Sequence, residues 1–252
     1  MGPERLSIEV TNRCAKACWF CYNHSQPSGE GRWTPDELVA LVLDCSANGV
    51  KAVSFGGGEP LEYEPIFEVL GRLRGVLFRS LTTNGLRLEG EALDRLVKAA
   101  PEKVHVSIHF PERKLEVARV IRQVCELADR GVRSGINLLV ARSGLDASSR
   151  AAEQALEAGI GNDRIVYLPM RGRDTPTPDE VAAVAGRRPF QSMTCLKGCA
   201  RSPRFASIAW DRTVAWCSYT ETRRPLLGVS HHDLMSALDG LGLTFCGGSN
   251  DA

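Results

Sequence analysis

Leu6-Ser7-Ile8-Glu9-Val10, followed by Cys14-Ala15-Lys16-Ala17-Cys18-Trp19-Phe20-Cys21, decides how the chain is read. The first five residues make a short apolar strand. The next eight carry three thiols spaced C-x3-C-x2-C on the loop that leaves it. Such a loop can wrap its thiols to one side, toward one metal centre. Structural zinc is normally closed by four protein ligands, with Asn23 or His24 available as a fourth. An iron-sulfur cluster commonly takes four cysteines as well, and one held by three leaves an iron open to a substrate or cofactor.

Outward from this loop, short apolar runs alternate with amphipathic stretches as far as Pro169, the pattern of β-α units winding a parallel sheet. The strands are read at Leu6 to Val10, Ala52 to Phe55, Phe78 to Thr82, Val104 to Ile108, Ile136 to Val140 and Ile165 to Leu168, each suited to burial on both faces. Thr34-Pro35-Asp36-Glu37 is an N-cap, a proline at the first helical position and two first-turn acids, so it opens a helix that ends near Asn48-Gly49. Further helices are expected over Tyr63 to Arg74, Glu91 to Ala99, Arg113 to Asp129 and Ser148 to Glu157, several closed by glycine. Six such units fit either a partial barrel or an open doubly wound sheet, and both gather ligands at the carboxyl ends of their strands. Residues 1–170 are therefore expected as a core α/β domain. Arg171 to Pro189, rich in proline, glycine and arginine, reads as a linker over 171–190, and 191–252 as a small second domain. Within that domain, Ser207 to Trp210 and Thr213 to Trp216 flank Asp211-Arg212 as a β-hairpin.

The 252 residues are 43% hydrophobic and 24% charged, with net charge +1. Disorder, a coiled coil and a disulfide-stapled miniprotein are excluded. No apolar run approaches the ~20 residues of a membrane span, and Met1-Gly2-Pro3-Glu4-Arg5 does not begin a signal peptide, so a cytoplasmic location without membrane contact is expected. Near-neutral charge argues against general nucleic-acid binding. Nine cysteines in a reducing compartment point to metal or redox chemistry. Cys45 and Cys125 lie among aliphatic residues in helical patterns and are read as core.

Gly56-Gly57-Gly58-Glu59-Pro60 follows the second strand and Thr82-Thr83-Asn84-Gly85 the third. Glycine runs let backbone approach a ligand closely, and Glu59 supplies a charge suited to an ammonium. Together with the cysteine loop, in which Phe20 precedes the third cysteine and Tyr22-Asn23 follow it, these segments resemble the radical S-adenosylmethionine (radical SAM) superfamily over roughly residues 5–170. The resemblance implies a partial (β/α)6 TIM-like barrel, with Cys14, Cys18 and Cys21 holding a [4Fe-4S] cluster whose open iron binds S-adenosylmethionine. It implies cosubstrate contacts from Phe20, Gly57, Gly58, Glu59, Thr83 and Asn84, from Ser107 and His109 at the end of the fourth strand, and from Asn137 and Met170. Reductive cleavage then yields methionine and a 5′-deoxyadenosyl radical, with an electron donor such as flavodoxin or ferredoxin.

Cys199, Arg212 and Cys217 resemble the C-x(9 to 15)-G-x4-C element that begins the twitch and SPASM auxiliary-cluster domains, with Arg212 in place of glycine. Cys246 fits the shorter twitch form, and Cys195 completes a four-cysteine set for an auxiliary [4Fe-4S] cluster. Residues 171–224 hold ten Lys or Arg against five acids, a basic stretch suited to an anionic substrate or acidic peptide, or to a solvated linker. The expected function is hydrogen abstraction from a peptide or small natural-product precursor. The net outcome would be an oxidation, dehydrogenation or cross-linking, with the auxiliary cluster accepting an electron. The cysteine loop begins so early that no leader-peptide-binding domain is expected before it, which favours a small molecule or a separate recognition protein. The alternatives are a redox-neutral epimerase with a C-terminal cysteine as hydrogen donor, and a non-catalytic zinc-binding adaptor.

Overall fold

A computed structural model of the chain describes residues 2–192, 196 and 204–243. In chain order the elements are β1 (Arg5–Thr11), α1 (Pro35–Ala47), β2 (Ala52–Gly57), α2 (Ile66–Arg72), β3 (Phe78–Thr83), α3 (Gly90–Ala99), β4 (Lys103–Ile108), α4 (Lys114–Asp129), β5 (Ser134–Val140), α5 (Leu145–Glu157), β6 (Ile165–Pro169), α6 (Pro178–Val184), β7 (Gln191–Ser192), β8 (Phe205–Ile208), β9 (Thr213–Ala215), β10 (Arg224–Pro225) and α7 (His231–Leu238). The fold is α/β with a predominantly parallel sheet, as expected. The six anticipated strands lie within two residues of their expected ends. Among the described residues no helix is long and apolar enough to cross a membrane.

The described residues divide into two compact units, 2–103 with 204–243, and 104–192 with 196. In the first, β1 pairs in parallel with β2 and β2 with β3, while on its other edge β1 pairs in parallel with β8, which continues as an antiparallel hairpin into β9 and then β10. Residues 204–243, expected within a separate 191–252 domain, thus belong to the same unit as β1, because β8 satisfies a backbone edge that β1 would otherwise leave open. One face of this sheet carries Leu6, Ile8, Val53, Phe55, Leu81 and Ile208, all essentially without solvent contact. Arg79 shares that face: its guanidinium donates to the carbonyls of Leu70 on α2 and Ala99 on α3 and pairs with Glu102 at 2.7 Å. The helices therefore cover this side. The opposite side departs from the expectation of strands buried on both faces, since Ser7, Ser54 and Ser80 there are only half-buried.

In the second unit β4, β5, β6 and β7 pair in parallel, and α5 packs beside α6. α6 lies inside the stretch read as a linker. Thr177 caps it as Thr34 caps α1: each hydroxyl accepts from the backbone N–H of a glutamate three residues on, whose carboxylate accepts in return from the cap N–H.

Candidate active site

The cysteine loop leaves β1 and is held by its backbone. Asn12 N–H donates to the Glu30 carbonyl, Cys14 N–H to Gln26 and Cys21 N–H to Cys18. Cys14 is buried, Cys18 and Cys21 are half-buried, and none of the three is in a disulfide. Burial pushes the Cys14 thiol up, against the N–H groups of Lys16 and Ala17 and the Asn84 side chain, which are directed at its sulfur. Those donors suit a thiolate engaged with iron, and the chemistry of three cysteine thiols on one eight-residue loop fits a cluster. Among the described residues no three His, Cys, Asp or Glu side chains are grouped tightly enough to hold a single metal ion. Phe20 is half-buried, its ring edge-on to the exposed Trp19 at 5.3 Å.

The glycines after β2 serve the packing of this loop. A Cβ on Gly57, whose φ is +111°, would stand 2.6 Å from the Thr11 carbonyl oxygen, and one on Gly58 would collide with the carbonyl of Arg13. Gly58 and Glu59 donate their N–H groups to those same two carbonyls, at 2.6 and 2.8 Å. Gly56 differs, because a Cβ there meets nothing within 4 Å. Close approach at 57 and 58 is thus to the loop backbone, and open space lies only at 56.

Glu59 is fully buried, and its carboxylate faces protein donors instead of open space. Oε1 accepts from the Thr83 hydroxyl at 2.7 Å and the Leu61 N–H at 3.0 Å, and Oε2 from the Asn84 N–H at 2.7 Å. Burial raises its pKa to about 6 against these three donors. The Thr83 hydroxyl in turn accepts from Gly85 N–H at 3.0 Å, Asn84 Oδ1 accepts from Leu86 N–H at 2.8 Å, and Asn84 Nδ2 reaches Cys14 Sγ at 3.5 Å. One buried carboxylate therefore ties the segment after β2 to the turn after β3, and that turn to the first cysteine.

A second buried carboxylate, Glu9, stands two residues past Ser7 on the helix-free face and was not anticipated. Tyr22 donates its hydroxyl to it, as does the backbone N–H of Trp210, and the Arg223 charge acts on it. The Asn23 amide, oriented to satisfy its neighbours, donates to Glu9 Oε2 at 3.1 Å and accepts from Gly58 N–H at 3.3 Å. Burial raises the Glu9 pKa to about 7 despite these partners. The Tyr22 ring lies 4.8 Å from that of Tyr219, whose N–H meets Cys217 Sγ at 3.5 Å. The first cysteine loop and Cys217 are linked in this way within one unit. Only the acid in an otherwise apolar strand signalled Glu9, since its partners come from distant segments.

Arg212 holds φ +67°, the left-handed region that a glycine would adopt without cost. Its side chain offsets the penalty by pairing with Glu37 at 2.5 Å, donating to the Arg32 carbonyl at 2.8 Å and lying over the Trp33 ring. The hairpin forms, with Ser207 opposite Ala215 and Ile208 opposite Val214. Cys217 is half-buried; Cys195, Cys199 and Cys246 lie outside the described residues. Cys45 is buried on α1, with a thiol pushed up to about 12 by burial, while Cys125 on α4 is half-buried and not in the core.

The second unit carries the remaining expected residues. Ser107 on β4 and Asn137 on β5 are register partners, the first buried and the second half-buried. His109 follows β4, where its N–H donates to Glu116 at 2.7 Å. Met170, buried, follows β6 and donates its N–H to the Val140 carbonyl.

The chain is similar to known proteins in sequence and in fold. The chain is 36% identical over 110 residues to the probable GTP 3′,8-cyclase of Pyrococcus horikoshii, covering 43% of this chain and 35% of that protein. It is 30% identical over 148 residues to the corresponding protein of Methanothermobacter thermautotrophicus, covering 54% and 48%. These matches span a third to a half of the length of the curated relatives. Among solved structures, Streptococcus suis SuiB bound to S-adenosylmethionine superposes with a TM-score of 0.73 at 16% identity, over 95% of this chain and 67% of that one. BtrN in complex with AdoMet and 2-DOIA gives 0.53 at 15% identity, over 94% and 83%. The sequence profile of the Radical SAM superfamily matches residues 8–176, two thirds of the chain and the whole of the cysteine loop, the glycine-rich segment and the Asn84 turn, and this chain belongs to that superfamily.

Proposed function

We propose that the chain is an enzyme that abstracts hydrogen from a peptide or small natural-product precursor in a net oxidation. The observation that carries the catalytic part is the hydrogen-bonded path from Glu59 through Asn84 to Cys14, which binds three separate sequence motifs into one site. Cys14, Cys18 and Cys21 would hold the [4Fe-4S] cluster. The backbone of Gly57 to Glu59, with Thr83, Asn84 and Phe20, would hold S-adenosylmethionine. When bound, the two supply one-electron cleavage of a sulfonium and hence a hydrogen-abstracting radical, fed by flavodoxin or ferredoxin. The chain's own task is to position them and exclude water. Because its oxygens are taken by Thr83, Leu61 and Asn84, Glu59 acts by shaping the backbone around the cosubstrate. Cys195, Cys199, Cys217 and Cys246 would hold the auxiliary cluster that accepts the substrate electron. The Tyr22 to Tyr219 contact supports this reading by joining Cys217 to the first cysteine loop.

A second reading, cyclisation of a nucleotide, is favoured by the sequence relatives named GTP 3′,8-cyclase. Anaerobically reconstituted protein with a strong reductant should form 5′-deoxyadenosine from S-adenosylmethionine. Replacement of Cys14, Cys18 and Cys21 by alanine should abolish this and remove about half of roughly eight bound irons. Retention of all the iron would overturn the assignment, and consumption of GTP by the wild type would select the second reading.

A further inference from the structure

Four neighbouring strands of the first unit place serine at the same level: Ser207 on β8 is register partner to Ser7 on β1, Ser7 to Ser54 on β2, and Ser54 to Ser80 on β3. Serine has no preference for strand interiors, where β-branched and aromatic residues pack best. Its repetition across four strands, against a helix side that is apolar but for Arg79, therefore marks a face kept polar. Ser80 donates to the Val53 carbonyl at 3.3 Å and Ser207 accepts from Arg223 at 3.3 Å, but among the described residues the Ser7 and Ser54 hydroxyls have no protein partner. One step toward the carboxyl ends of the strands lies Gly56, with open space where a side chain would be.

Arg223 overhangs this row. Its Nε donates to Thr213 Oγ1 at 3.0 Å and its Nη2 to Ser207 Oγ, both neutral groups, and Nη1 is uncommitted among the described residues. No carboxylate there lies within 4 Å of the guanidinium. Of the acids near it, Asp211 accepts from the N–H and hydroxyl of Thr213 at 3.0 and 2.8 Å, and Glu9, which feels the Arg223 charge and accepts from Tyr22 and Trp210, has its carboxyl pushed up to about 7 by burial. A half-buried guanidinium fixed by two neutral hydroxyls, with no carboxylate within 4 Å among the described residues, is a fork suited to bind an oxyanion in two-point fashion.

We propose that Arg223, with Ser207, Ser7 and Ser54, forms a subsite for an anionic oxygen group of the substrate, a carboxylate or a phosphate. This rests on the reading of the chain as an enzyme whose substrate enters the first unit from its helix-free face. It makes Arg223 a specificity-determining residue that never touches the cluster loop.

The test titrates the reconstituted holoenzyme with inorganic phosphate and, separately, with acetate, by calorimetry. One of the two should bind, and the one that does identifies the group. Arg223→Gln should weaken that binding at least tenfold, Arg223→Lys less, and Ser54→Ala two- to threefold. Arg224→Gln is the control, because it removes the same charge one residue away from a side chain that donates to the carbonyl of Asp239. Equal losses in Arg223→Gln and Arg224→Gln would reduce the effect to a general field and overturn the subsite, as would failure of both anions to bind. If Arg223→Gln does not fold, full wild-type affinity in Arg223→Lys and Ser54→Ala together would also overturn it, and graded losses in both would support it. Anion binding that depends on Arg223 in a protein unable to cleave S-adenosylmethionine would keep the subsite and sink only the catalytic reading.

Discussion

Glu59 and Glu9 are both carboxylates buried in the first unit, one at the start of the turn after β2 and the other inside β1, yet they are satisfied in opposite ways. Every donor to Glu59 comes from Leu61, Thr83 or Asn84, groups that belong to its own motif or to the adjoining strand's turn. The groups around Glu9 come from three remote segments: Tyr22 and Asn23 after the cysteines, Trp210 in the hairpin loop, and Arg223 beyond β9. The first arrangement is a rigid local device that sets backbone. The second is a clasp, and it holds only when the cysteine loop and the C-terminal hairpin are both in place.

The sharpest test of that contrast is Glu59→Ala, which strands the Thr83 hydroxyl and two buried N–H groups. A loss of about 3 kcal/mol or more in urea unfolding is expected, with S-adenosylmethionine affinity falling as the Asn84 turn loosens. A loss below about 1 kcal/mol would show that water replaces the carboxylate and that the site is not rigid.

Glu9→Gln should give a smaller, pH-dependent effect. Burial pushes the Glu9 pKa up from the ordinary glutamate value of 4.5 to about 7, so the folded state holds an extra proton between those values. Stability from this source is present below the lower value and is lost as pH rises through the upper one. Relative to Glu9→Gln, the wild type should therefore lose up to about 3 kcal/mol between roughly pH 5 and 8. Urea midpoints for both proteins across that range measure it. A constant difference would mean that Arg223 keeps Glu9 ionised throughout, making the pair an electrostatic unit instead of a hydrogen-bonded clasp.

Arg212→Gly should change least. Relief of the left-handed backbone, about 1 kcal/mol, is set against a half-exposed ion pair and a cation–π contact of about 0.5–1 kcal/mol each. Thermal unfolding within about 1 kcal/mol of wild type is expected. A larger loss would show that the side chain, through Glu37 and Trp33, is what holds the hairpin loop that supplies Trp210 to Glu9.

How much of this was legible varied with the range of the interaction. Thr34-Pro35-Asp36-Glu37 and Thr177-Pro178-Asp179-Glu180 are the same four residues and build the same capping box. The first was read as a helix start because Leu38, Leu41 and Val42 follow at helical spacing. The second reads as linker because proline, glycine and arginine crowd it, and its seven-residue helix buries only Val181 and Val184. The cap was visible in both, and only the apolar stripe was missing.

The amino-acid sequence alone determined the six strands, the helix that follows the cysteine loop, the family and the three motifs of the site, since each is written in contiguous residues whose periodicity or chemistry is local. Tertiary structure decided that residues 204–243 extend the sheet along β1, that Glu59 turns inward to Thr83 and Asn84, and that Glu9 meets Tyr22, Trp210 and Arg223. Pairing of distant strands sets those meetings, and strand register, which no single segment encodes, puts four serines on one face, one of them bonded to Arg223.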